Sequence, residues 1–127
     1  MPRQAHNSNL LAKPVGPFPH AVCSGEPIYL SGQVGQEPAT GKLVEGGLVA
    51  QTRQIFRNFL TLLSEFELNF DDVVKVNVFL STMDDFAAMN NVCAEYLLAP
   101  YPARTTLAVK GLPLGALVEM EMIARGR

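Results

Sequence analysis

The stretch from Tyr101 to Glu121, YPARTTLAVKGLPLGALVEME, constrains this chain more than any other. Its two ends alternate strictly in polarity, which predicts an antiparallel hairpin. Thr105, Leu107 and Val109 on the first strand, with Val118, Met120 and Met122 on the second, are then core-facing. The opposite parity holds Arg104, Thr106, Ala108 and Lys110 and, across the hairpin, Leu117, Glu119 and Glu121. A cation and two carboxylates therefore share one expected sheet face. A polar outer face is ordinary on an antiparallel sheet open to water. Pro102 nevertheless fixes the backbone just before Arg104, and a planar, permanently charged fork on a rigid strand suits a carboxylate ligand. The pattern is compatible with both a solvated face and a binding site.

The rest of the chain supplies what such a hairpin packs against. Residues 1 to 19 are polar and broken by Pro14, Gly16, Pro17 and Pro19, which predicts an irregular or edge segment with at most a short strand near Asn9 to Lys13. His20–Cys23 and Ile28–Gln33 read as a second hairpin, and Gly32 in Ser31-Gly32-Gln33 marks either a bulge or a close approach by another backbone or a ligand. Residues 35 to 46 are a Gly- and Pro-containing loop. Leu48, Thr52, Ile55, Phe59, Leu62 and Phe66, widened by Phe56, Leu60 and Leu63, form a helical stripe, with Gln51, Gln54 and Asn58 on the remaining surface. Asp71 and Asp72 open a strand in which Val74, Val76, Val78 and Leu80 should face the helices. Thr82 resembles a helix N-cap, followed by a second helix from about Asp84 to Leu98 that stops before Pro100. Its apolar stripe is Phe86, Met89, Cys93, Tyr96 and Leu97, and Asn90 sits on that seam, bonded to a loop carbonyl or bordering a site. The element order predicts one α+β domain over residues 1–127, a mixed β-sheet with two helices packed on one face.

Composition excludes several function classes. Ten Lys plus Arg against twelve Asp plus Glu give a net charge of −2, with the basic residues scattered, which argues against a nucleic-acid partner. Cys23 and Cys93 are far apart with no CxxC and read as reduced, small hydrophobes. His6 and His20 lack the spacing of a metal site, so no metal is expected. Neither a signal-peptide run nor 18 consecutive apolar residues occurs, so the expected location is cytoplasmic and no membrane partner is expected. A hydrophobic content of 48% is high for so short a chain and suggests surface covered by further copies of itself.

The run YPARTTLAVKGLPLGALVEMEMIA resembles the signature of the RidA/YjgF family of reactive-intermediate deaminases, with its Pro-Ala-Arg, Leu-Pro turn and Glu-x-Glu strand. Ser31-Gly32-Gln33, Gly16-Pro17 and Asp85-Phe86-Ala87 through Asn90 resemble further family motifs, so the likeness covers almost the whole chain. It implies chorismate-mutase-like subunits whose sheets form a barrel in a homotrimer, with clefts between neighbours. It also implies cofactor-free hydrolysis of 2-imino or enamine acids such as 2-iminobutanoate to 2-oxo acids and ammonia. The family's carboxylate-binding arginine carries over to Arg104 and its water-holding glutamate to Glu119. Its cleft-lining positions fall on Ser31, Gly32 and Asn90. Two positions depart from the pattern: Phe18 replaces a tyrosine, and Thr106 stands where many members carry cysteine. A non-catalytic trimer whose clefts bind a small carboxylate as sensor or regulator is the alternative. A hairpin about residues 113 and 114 places Glu119 near Ala108, roughly 13 Å along the strand from Arg104 at about 3.4 Å per residue. The pair then requires long side chains, another register, or a cleft shared between subunits.

Overall fold

The computed structural model describes residues 3–126. Six strands form one mixed sheet: β1 (Gln4–His6), β2 (Ala21–Cys23), β3 (Pro27–Val34), β4 (Val73–Leu80), β5 (Ala103–Ala108) and β6 (Val118–Arg125), in the order β1-β2-β3-β6-β4-β5. Helices α1 (Gly47–Ser64) and α2 (Phe86–Tyr96) cover one face. No helix among the described residues is long and apolar enough to cross a membrane.

The core follows from two periodicities. Ile55, Phe56, Phe59, Leu62 and Leu63 of α1 meet Val76, Val78 and Leu80 of β4 and Val118 and Met120 of β6, all fully buried. α2 is fastened to α1 where Tyr96 stacks on Phe56 at 4.7 Å, and Phe70, from the turn before β4, meets Phe56 edge-on at 5.6 Å. Met89, Val92 and Cys93 complete the seam. These contacts fix the outward side of α2, which bears on the site.

Several expectations are corrected. Tyr101–Glu121 is not a hairpin, because β6 inserts between β3 and β4 and β5 pairs in parallel with the far side of β4. The chain crosses over β4 through residues 109–117, so β5 is the sheet's edge. Its parity is the reverse of that expected: Arg104 and Thr106 are registered with Val76 and Val78 and share their helix-facing side. Thr105 and Leu107 face the other way, where Lys75 Nζ donates to Thr105 Oγ1 at 3.1 Å. A register shift at the start of β4 buries Val73 and leaves Val74 exposed.

The first strand is at Gln4–His6 rather than near Asn9 to Lys13, and Phe70–Asp72 form a 3-10 turn capped by Asn69 instead of opening the strand. A second 3-10 turn, Met83–Asp85, precedes α2, with Thr82 accepting from the Asp84 amide. On α1, Gln51, Gln54 and Asn58 are buried and Leu60 is exposed. The buried amides are satisfied: Gln51 accepts from the Leu117 amide at 2.9 Å, Gln54 donates to Asn58, and Asn58 donates to the Gln36 carbonyl.

Candidate functional site

Arg104 stands on the exposed edge strand, directed toward α2. Its guanidinium carbon lies 5.6 Å from the Phe86 ring centroid, and Nη1 is 4.0 Å from Met89 Sδ. Among the described residues no carboxylate pairs with it. An exposed cation held by an aromatic face and a thioether keeps its hydrogen-bonding fork for something else. The fork borders a cavity of about 310 Å³, which Asn90 also lines. The Asn90 carboxamide bonds to no other described residue, so the expected bond to a loop carbonyl is not made. Thr106, two residues along the same side of β5, has a buried Oγ1 without a hydrogen-bond partner among the described residues.

Glu119 belongs to a different place. It is registered with Phe79 of β4 and Val34 of β3, on the sheet face away from the helices. Phe18, Gly32 and Glu119 line a small cavity of about 40 Å³, enough for a water molecule. β3 bulges between Leu30 and Gln33, and the missing side chain at Gly32 makes room for the carboxylate: a β-carbon there would sit 2.8 Å from Glu119 Oε2. The expected bulge is present, and what comes close to Gly32 is the Glu119 side chain. Burial, and then the nearby Glu121 charge, hold the Glu119 carboxyl above the ordinary carboxylate range. Ser31 Oγ donates to the Pro19 carbonyl at 2.8 Å and its amide to the His20 carbonyl, which ties the Phe18 segment to the bulge.

The site residues therefore form two groups. Arg104, Thr106 and Asn90 lie on the helix side at the sheet edge; Glu119, Gly32, Phe18 and Ser31 lie on or beside the open face. Arg104 and Glu119 are three residues apart along the strands, about 10 Å, and two strand spacings apart across them, about another 10 Å. The shared face expected of them is wrong, because the parallel pairing of β5 with β4 turns Arg104 to the side opposite Glu119. Within one chain no small molecule spans both. Cys93 and Leu97, expected in the core alone, also line the Arg104 cavity. Their i+3 and i+7 spacing from Asn90 was the available signal.

Both described histidines are committed elsewhere. His6 Nε2 lies 2.7 Å from Glu65 Oε1; His20 accepts the Ser8 amide at Nδ1 and so carries its proton on Nε2, which donates to the Ala12 carbonyl at 2.8 Å.

Comparison with known proteins places these features in context. The sequence model of the family described as Endoribonuclease L-PSP matches residues 9–126. A 2-iminobutanoate/2-iminopropanoate deaminase of Dermatophagoides farinae is 38% identical over 122 residues, covering 96% of this chain and 95% of that protein. A RutC family protein of Pyrococcus horikoshii is 41% identical over 112 residues, covering 88% and 89%. Among solved structures, RidA from an Antarctic Psychrobacter matches with a TM-score of 0.92 and 38% identity over 96% of this chain and 98% of that one. The YjgF gene product of E. coli matches with a TM-score of 0.87 and 30% identity over 98% and 99%.

Proposed function

Because this chain belongs to the RidA/YjgF family, we propose that it hydrolyses 2-imino acids, or their enamine tautomers, to 2-oxo acids and ammonia. The reaction takes place in clefts between the copies of a homotrimer, where Arg104 of one chain meets Glu119 of its neighbour. The observation that carries this reading is the guanidinium of Arg104, which no carboxylate among the described residues pairs, on an exposed edge strand at the mouth of a cavity. That the two half-sites lie on opposite sides of one sheet supports a cleft made by two chains.

An imine carbon is already electrophilic, so little is asked of the protein. Arg104 binds the substrate carboxylate bidentately, and Asn90 offers a further bond to the bound acid. Glu119 orients a water against the imine carbon and accepts a proton as the C–O bond forms. The iminium form of the substrate thus becomes a neutral carbinolamine, whose nitrogen takes that proton back from Glu119; the C–N bond breaks, and the hydroxyl proton passes to the Glu119 carboxylate and on to the departing ammonia as the carbonyl forms. A carboxyl whose proton affinity is raised by burial suits this exchange better than an ordinary solvated one.

Ammonia release from 2-iminobutanoate tests the assignment. Loss of one charge-assisted clamp is worth about 3 kcal/mol, so Arg104→Ala is expected to lower kcat/KM by about 100-fold while its circular dichroism is unchanged. Wild-type turnover no faster than the uncatalysed reaction would instead favour the carboxylate sensor, a reading with some support in Phe18, which lacks the hydroxyl of the family's tyrosine. An endoribonuclease activity has less to work with, since both described histidines are committed and the net charge is −2.

A further inference from the structure

We propose that the cavity beside Arg104 is a side-chain pocket, which makes this protein favour 2-imino acids with branched or extended apolar side chains over those derived from alanine and 2-aminobutyrate. The inference rests on Arg104 as the carboxylate clamp and goes further by assigning the opposite walls. Asn90, Cys93, Ala94 and Leu97 recur at i, i+3, i+4 and i+7, so α2 and the residue that caps its C-terminus present one continuous face to the cavity. Tyr101 and Pro102, on the segment leading into β5, form the other side.

Apart from Asn90, Arg104 and the Tyr101 hydroxyl, the walls offer a ligand only apolar surface. The Cys93 thiol belongs with them: burial pushes its pKa up, against the opposing influence of Arg104, so it remains neutral at neutral pH. A molecule held by its carboxylate at Arg104 has its remaining carbons against these walls.

Size then decides which side chain benefits. The cavity of about 310 Å³ holds on the order of ten waters at about 30 Å³ each. A methyl or ethyl group leaves most of that space wet, whereas an isobutyl, thioether or benzyl group displaces water from apolar surface. Each additional buried methylene is worth about fourfold in affinity, so three extra carbons correspond to a preference of at least about tenfold after losses to imperfect fit.

The 2-oxo acids are stable probes of the same site, and calorimetry on the full chain measures their affinities directly. 4-Methyl-2-oxopentanoate is expected to bind about tenfold more tightly than pyruvate. In Ala94→Phe, a substitution at an exposed helix position that fills the cavity, the ratio of the two affinities should fall to one or below. Tyr101→Ala, which removes an exposed wall, should also lower the ratio and serves if the first variant does not fold. Equal affinities in the wild type, or a ratio unchanged in both variants, overturn the side-chain pocket and leave the carboxylate clamp standing. Failure of every 2-oxo acid to bind, or binding unaffected by Arg104→Ala, overturns the clamp and the pocket with it.

Discussion

Gly32 and Glu119 are a pair in which one residue's missing atom defines the other's position. The Glu119 carboxylate occupies the space where a β-carbon on residue 32 would fall, 2.8 Å from Oε2. Because the obstructing atom is the end of a flexible side chain, Gly32→Ala should fold and instead displace the carboxylate. Ammonia release is expected to fall by about tenfold or more with Tm changed by only a few degrees, and a variant with wild-type kinetics would separate Gly32 from the chemistry. Glu119 itself carries a pH signature. Its carboxyl is raised in the folded protein by burial and by Glu121, so folding favours the protonated form. Stability from this group is fully present below the unfolded value of about 4.3 and is lost as the pH rises through the higher folded value. Glu119→Gln abolishes that loss: its Tm should match the wild type near pH 4 and exceed it at pH 7, while ammonia release disappears. A Tm difference constant across that range would contradict the burial argument.

At the scale of elements, the interior strands announce themselves and the edge does not. β4 and β6 each have one face in the core, so Val76, Val78, Val118 and Met120 alternate legibly with Lys75, Asn77, Glu119 and Glu121. β5 is exposed along nearly its whole length, and with no buried parity its sequence cannot say which side Arg104 takes. Whether it pairs with β6 or with β4 is decided by the insertion of β6 beside β3, a tertiary choice absent from the local pattern. The residues of both proposed half-sites were nameable from motif and spacing, but their division between two faces was not legible there. α1 misled in the opposite sense: Gln51, Gln54 and Asn58 read as surface and are buried, with Gln51 and Asn58 bonded to loop backbone and Gln54 to Asn58. Gln51 receives the Leu117 amide where the chain turns into β6, two residues before Glu119. Gln51→Met keeps the volume and removes the acceptor, which should cost about 1–3 kcal/mol and lower Tm by about 4–11 °C. An unchanged Tm would mean that water replaces the glutamine.

The whole molecule has a face that one chain does not cover. Opposite the helices, Tyr29 and Leu107 are 46% and 42% exposed, beside Phe79, Lys75 and Glu121. Aromatic and aliphatic surface interleaved with charge is the composition of an interface with wet pockets rather than of a solvated sheet. A homotrimer predicts a solution mass three times the 13.8 kDa of one chain by light scattering. Assembly alone does not test the shared cleft, but complementation does. Arg104→Ala and Glu119→Gln are each inactive if every site needs one residue from each of two neighbours in a closed ring. When the two variants are unfolded together and reassembled, a chain that retains Arg104 sits beside one that retains Glu119 at about a quarter of the interfaces, and ammonia release should return to about that fraction of wild type. Reassembly of either variant alone restores nothing. If each site instead drew both residues from one chain, no mixture would contain an intact pair, and the mixed trimers would stay as inactive as their parents.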